Sequence, residues 1–355
     1  MSKDANDTGS LSSDAGTGRR SVLKAIAAAP LLAALAETAI ADEPAPPAAA
    51  APGSIFVKHG FDEHQVDLGE VVMNYAATGS SNKPALLLIP GQTESWWGFE
   101  AAMKLLAPDF QVFAVDLRGQ GRTTQTPGRY TLDNMGNDLV RFITLVIKRP
   151  VITSGCSSGG VLSAWLSAYA PPGMVRGSHY EDPPLFASEL TPAIGHSVRQ
   201  TIVGPIFFQM SRYLGDQWSV GDWAGFKRSA ATGIPIAGSN APGGEPPQNL
   251  KEYDPEWGRA FYEGTVAQSC DHMRMLKKVK VPVLFTHHGR TINAKTGMLI
   301  GALSDLQAQN VKALVEGAGQ PFEYVSLPTA AHAMHQSDPQ KFVGVLTPWA
   351  TKLPA

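Results

Sequence analysis

The amino-acid sequence predicts an α/β fold: a mostly parallel, eight-stranded sheet with helices on both faces and a helical cap inserted late in the order. From Ile55 onward, short apolar runs alternate with helical patterns, the spacing of repeated strand and helix units. The strand-like runs include Ala85-Leu-Leu-Leu-Ile89, which is apolar throughout and therefore expected to be buried. The chain has 355 residues with 43% hydrophobic content, enough for a large core plus an insertion.

The first 53 residues are expected to lie outside that fold. A polar lead ends in Gly18-Arg19-Arg20-Ser21-Val22-Leu23-Lys24, an Ala-rich run continues to about Ile40, and Ala39-Ile40-Ala41 supplies a small-residue cleavage signal. This pattern predicts a twin-arginine export signal over residues 1–41, with a periplasmic or secreted product that meets a membrane only during export. Pro30 and Glu37 interrupt the run, which disfavours a permanent anchor. Residues 42–53, with their Ala and Pro repeats, predict a flexible linker.

Within the domain, residues 66–76 predict a hairpin partner strand, 85–89 the first buried strand and 110–115 the next. Residues 132–147 predict a helix, 151–154 the central strand, 161–169 a helix and 175–180 a further strand. From about Pro184 to Asn249 the alternation stops. That stretch is rich in Gly, Pro and aromatics and too long for a simple loop. Residues 184–249 are therefore expected to cap a core made of residues 54–183 and 250–355. The sheet resumes at 281–286, a helix follows at 304–316, the last strand at 322–327 and a closing helix at 339–349.

The chemistry is concentrated at residues 151–160, Val-Ile-Thr-Ser-Gly-Cys-Ser-Ser-Gly-Gly. A Gly-x-Ser-x-Gly box between a strand and a helix is the setting of a nucleophile elbow, with Ser157 at its tip. Gly155 and Gly159 are needed because side chains beside so sharp a turn would collide. This context resembles the serine hydrolases of α/β-hydrolase type. A serine hydroxyl needs a base, and the base an orienting acid, in the chain order serine, acid, histidine. His332, in the loop after the final strand, is the expected base, with His335 lining the pocket or packing. The loop after the strand ending at Thr286 offers no carboxylate, and Asp305 fits a helix start better than a site. Glu181 and Asp182 end the strand after the elbow and point to opposite sides, so only one can face His332. Glu181 is the favoured acid and Asp182 the second choice.

The backbone amides of Gln92 and Ser158 are the expected oxyanion donors, with Gly91 allowing close approach. Gly91, Trp96, Trp97, Trp218, Trp223 and His335 are candidates for substrate contact, the cap aromatics lining a mostly apolar pocket. Asp116 and Arg118 fit a structural brace around a tight loop. Gly119-Gln-Gly121 lacks the third glycine of a dinucleotide fingerprint, so no cofactor is expected. Adjacent His287 and His288 diverge on a strand and have no clustered carboxylates, so no metal is expected either. A net charge of −2 disfavours nucleic acid as a partner, and Cys156 and Cys270 are expected to be free thiols.

The chain also resembles the zearalenone hydrolases, lactonases that open a resorcylic macrolide, and most of all their bacterial branch. The elbow Gly155-Cys156-Ser157-Ser158-Gly159 matches theirs. So do Ser95-Trp96-Trp97, Gly215-Asp-Gln-Trp-Ser219, Leu250-Lys-Glu-Tyr-Asp-Pro-Glu-Trp257 and Thr286-His-His288. The resemblance covers nearly all of residues 55–355, with divergence around residues 232–244. It places the acid at the spacing of Glu181 from Ser157. It implies attack by Ser157 on a lactone carbonyl, proton transfer to His332 oriented by Glu181, and an acyl-enzyme, with aromatics holding the resorcylate ring. The expected partner is thus a small lactone or ester, and a homo-oligomer is left open. Two other readings stand beside this one: a broad periplasmic carboxylesterase, and an inactive hydrolase-fold ligand receptor. Haloalkane dehalogenation is disfavoured because it needs an aspartate nucleophile.

Overall fold

A computed structural model describes residues 57–230 and 245–354. The expected export signal, the linker and the divergent stretch at 232–244 lie outside the described residues. An eight-stranded sheet forms the centre. Its strands are β1 (Glu63–Asp67), β2 (Val72–Thr78), β3 (Ala85–Ile89), β4 (Gln111–Val115), β5 (Val151–Cys156), β6 (Val175–Glu181), β7 (Val283–His287) and, after a small hairpin of β8 (Thr291–Ile292) and β9 (Leu299–Ile300), β10 (Phe322–Ser326). The spatial order is β1-β2-β4-β3-β5-β6-β7-β10. The β1–β2 and β2–β4 pairs are antiparallel and the remaining pairs parallel. The run predicted as one strand at 66–76 is two, because the chain turns at Leu68–Val71 with Gly69 at positive φ.

Strand periodicity explains why the central strands are apolar throughout. On β3, Ala85, Leu87 and Ile89 face one layer and Leu86 and Leu88 the other. The first layer holds α2 (Leu132–Phe142), α3 (Ser158–Tyr169) and α9 (Asp305–Gly317). The second holds α1 (Glu100–Leu106) and α10 (Pro339–Ala350), with Phe99, Met103, Phe342 and Leu346 filling the space. Ser304, rather than Asp305, caps α9, and Asp305 pairs with Arg290 at 2.6 Å.

Between β6 and β7 the chain forms α4 (Val203–Tyr213), α5 (Trp223–Ala230), α6 (Gln248–Lys251), α7 (Glu256–Glu263) and α8 (His272–Leu276), with α4 packed along α7. The loop after β4 is braced from within. Asp116 accepts from the amides of Trp96 (2.7 Å) and Arg122 (3.0 Å) and from Asn74 Nδ2 (2.8 Å). Burial lifts its pKa to about 7 despite these donors. Arg118 grips Asp138 with two 2.8 Å bonds.

Candidate active site

β5 ends at Cys156 and α3 begins at Ser158, leaving Ser157 alone at the turn with φ 54° and ψ −121°. A non-glycine residue there is strained, and the neighbouring glycines make the turn possible. A Cβ on Gly155 would lie 2.0 Å from the Gly159 carbonyl oxygen, and one on Gly159 would lie 2.3 Å from that of Ile89. Ser157 is thereby pushed out of the sheet into a cavity of about 420 Å³ that it shares with Gln92, Asp182 and His332.

The histidine pairing corrects the sequence expectation. His332 Nδ1 is 2.6 Å from Asp182 Oδ2, so Asp182, not Glu181, faces His332. The two carboxylates do diverge as strand geometry requires, but toward the sides opposite to those expected. Tyr180 packs into the first layer, which turns Glu181 into the second, beneath the site. Asp182 lies one residue past the end of β6, and its φ of 43° belongs to the left-handed region. Its second oxygen accepts from the His288 amide at 3.0 Å, which fixes the carboxylate. His288 Nδ1 lies 2.9 Å from the carbonyls of Ala331 and His332, anchoring the histidine loop as well. His287 points the other way, to Tyr324 and the Leu303 carbonyl.

Burial alone would depress the His332 pKa, but the hydrogen bond and charge of Asp182 outweigh it and raise the value. Asp182 is held below the usual carboxylate range: burial pushes it up, and His332 together with His288 more than reverses that. The His332 side chain is 48% exposed, so its free edge is reachable. With Nδ1 engaged by Asp182, Nε2 is the nitrogen left to take a proton.

The predicted oxyanion donors sit beside Ser157. Ser158 is the first residue of α3, so the helix leaves its amide without an intrahelical acceptor. Gly91 is close packed: a Cβ there would lie 3.0 Å from Ser157 Cβ. Among the described residues neither the Gln92 nor the Ser158 amide donates to another group. The Gln92 side chain is held at one end, where its Nε2 donates to the Tyr253 hydroxyl. Glu252 accepts from Ser95 Oγ (2.6 Å) and Trp97 Nε1 (2.8 Å). Residues 252 and 253 thus tie the segment between β6 and β7 to the loop after β3.

The expected wall of tryptophans is not the observed one. Gly91, Trp96, Trp97, Trp218, Trp223 and His335 are not among the residues lining the cavity. Trp96 is fully buried and donates to Glu63. Trp97 stacks on His59 beside a separate hollow of about 210 Å³. Trp223 stacks on Phe226 in the core. His335 is buried under the site on Glu181. The wall is instead Val203, Ile206, Phe207 and Met210 of α4, together with Leu250 and with Phe261, whose ring lies 5.5 Å from that of Phe207. Those four follow the i, i+3, i+4, i+7 spacing of one helical face, a signal present in the sequence but diluted by the glycines and prolines around it.

Cys156 and Cys270 are free. Among the described residues, Cys156, Glu181 and His335 bring potential metal-binding atoms within 4.8 Å of one another. Glu181 is already bonded to His335, and burial drives the Cys156 thiol well above its usual pKa, so it is protonated and suits a metal poorly.

Residues 84–194 match the family model described as alpha/beta hydrolase fold. Among curated relatives, the chain is 26% identical to mouse epoxide hydrolase 4 over 45% of this chain and 46% of that one. It is 28% identical to 3-oxoadipate enol-lactonase 2 of Acinetobacter baylyi over 29% and 38%. The chain thus spans less than half the length of the curated relatives it matches. Among solved structures, E-2-(acetamidomethylene)succinate hydrolase superposes with a TM-score of 0.57 at 20% identity, covering 82% of this chain and 99% of that one. The enol-lactonase of Burkholderia xenovorans LB400 superposes with a TM-score of 0.56 at 15% identity, covering 81% and 100%. Sheet order, elbow, family match and superpositions agree, and the chain has the α/β-hydrolase fold.

Proposed function

We propose that this protein is a serine hydrolase of carboxylic esters and lactones, working through Ser157, His332 and Asp182. Ser157 attacks the carbonyl carbon while His332 takes its proton. The amides of Gln92 and Ser158 receive the charge that develops on the carbonyl oxygen, and His332 returns the proton to the leaving alcohol. Water, deprotonated by His332, then releases the acid from the acyl-enzyme. Asp182 holds the ring in one orientation and stabilises its positive form.

The observation that carries this reading is the Asp182–His332 pair sharing a cavity with a serine held in the strained elbow conformation. Epoxide opening, suggested by some relatives' names, fits less well. A serine that opened an epoxide would form an ether, which water does not readily cleave, whereas an acyl-serine is an ester and turns over.

Within esters, the apolar α4 wall and the volume of about 420 Å³ favour a bulky apolar substrate. The resemblance to zearalenone hydrolases makes a resorcylic macrolactone such as zearalenone the first substrate to try. A broad carboxylesterase is the second reading, favoured by the opening of the site to solvent at His332. The residue 18–41 pattern further supports export. The test is loss of zearalenone followed by chromatography beside hydrolysis of 4-nitrophenyl esters, with Ser157→Ala as control. Loss of zearalenone that disappears in the variant supports lactonase action. Ser157-dependent cleavage of the aryl esters alone moves the substrate to the second reading, and turnover unchanged in Ser157→Ala ends the serine mechanism.

A further inference from the structure

Beneath the site lies a second acid–histidine pair that the proposed reaction leaves unused. Glu181 accepts from the His335 amide through Oε1 and lies 2.9 Å from its Nδ1 through Oε2, so both ends of one residue are gripped. Both side chains are fully buried. The ring stacks on Phe99 with centroids 3.9 Å apart, which stops it turning. Its other nitrogen, Nε2, is buried without a hydrogen-bond partner. The carboxylate it faces is Glu94, with Oε2 3.9 Å away. That same oxygen accepts the Gly91 amide at 2.6 Å, and the Glu94 amide returns to the Gly91 carbonyl at 3.3 Å. Gly91 adjoins Gln92 and packs so near Ser157 that a Cβ on it would lie 3.0 Å from Ser157 Cβ.

We propose that Glu181, His335 and Glu94 form a brace that sets the Gly91–Gln92 peptide, and with it the oxyanion donor, against Ser157. These are positioning residues, since none of them lines the catalytic cavity. The inference rests on the serine-hydrolase reading for its catalytic consequence, though not for the brace itself. The ring meets Glu181 at Nδ1 and faces Glu94 at Nε2; burial disfavours its charge, but the two carboxylates outweigh that and raise its pKa, so they favour the form that attracts both. Glu94 then fixes the Gly91 amide, and the turn from Gly91 to Glu94 closes around it. An oxyanion donor acts only when it is already aimed, so a loosened loop lowers the rate of the chemical step more than it weakens binding.

His335→Asn separates the two edges, because an Asn amide reaches Glu181 in place of Nδ1 and leaves nothing in place of Nε2. With a 4-nitrophenyl ester, kcat should fall about tenfold to a hundredfold with KM little changed, less than removal of an oxyanion donor outright. Amide hydrogen exchange in the segment from Gly91 to Ser95 should quicken. Glu94→Ala, at a partly exposed position, should produce the same pair of changes, and the double variant should lose no more than the worse single one. A folded His335→Asn protein with wild-type kcat and wild-type exchange overturns the brace, as do losses that multiply in the double variant. Should His335→Asn not fold, Glu94→Ala alone carries the same two readouts: slower turnover with faster exchange supports the brace, and wild-type values of both overturn it. Wild-type protein lacking any Ser157-dependent turnover would instead sink the serine-hydrolase reading, and exchange at Gly91 and Gln92 would still decide the brace.

Discussion

Two acid–histidine pairs stand back to back at the end of β6, built from consecutive acids and from histidines three residues apart. Asp182 and His332 open onto the cavity, with the His332 side chain 48% exposed, while Glu181 and His335 are both sealed at 0%. Their chemistry is nearly the same and their environment is opposite. A histidine that must gain and lose a proton each cycle needs access to substrate and water. A buried pair with fixed partners has no such access. Environment, not residue type, separates the working pair from the supporting one.

Exchanging the histidines sharpens this contrast most. His332→Ala should lower kcat by about 10⁴-fold or more while leaving the melting temperature close to wild type. His335→Ala should instead strip the buried Glu181 of its partner and cost about 3–5 kcal/mol of stability. Denaturant unfolding and ester kinetics on both variants check the pattern. Equal stability losses would erase the distinction.

The pairs should also separate by pH. His332 must be neutral to act as a base, and Asp182 raises its pKa above the ordinary histidine value of 6.5. The acid limb of kcat/KM should therefore have its midpoint above pH 6.5. Glu181 behaves as a stability group. Burial raises its pKa, but the charge and hydrogen bond of His335 bring it down to about 2 from an ordinary 4.5. A carboxylate depressed on folding contributes stability above its unfolded pKa, and that contribution fades as pH drops from 4.5 toward 2. A pH profile of activity and an acid titration of the fold read the two windows. A rate limb well below pH 6.5 would contradict the Asp182–His332 pairing.

Much of this was legible in the sequence. The continuous apolar run at 85–89, the elbow glycines and the histidine after the last strand each follow from a local rule, and all three lie where those rules put them. The acid was half legible. Alternation showed that Glu181 and Asp182 must diverge, but which one faced the site depended on where β6 ends and on the left-handed turn at Asp182, neither of which has a local signature. The tryptophans misled for a different reason. Large rings fill cores as readily as pockets, and Trp96 and Trp223 went to the core, while the plainer stripe of Val203, Ile206, Phe207 and Met210 lined the cavity. Contacts such as Gln92 to Tyr253, across 161 residues, arise only once the chain has closed on itself.

The central claim is that Asp182, not its neighbour, orients the catalytic histidine. The most direct measurement is kcat for one apolar aryl ester with Asp182→Asn and with Glu181→Gln, each checked for folding. Asp182→Asn should lose about 10⁴-fold in kcat, the scale expected when a histidine loses its orienting carboxylate, and Glu181→Gln about a hundredfold or less. A crippled Glu181→Gln beside a near-normal Asp182→Asn would contradict the account.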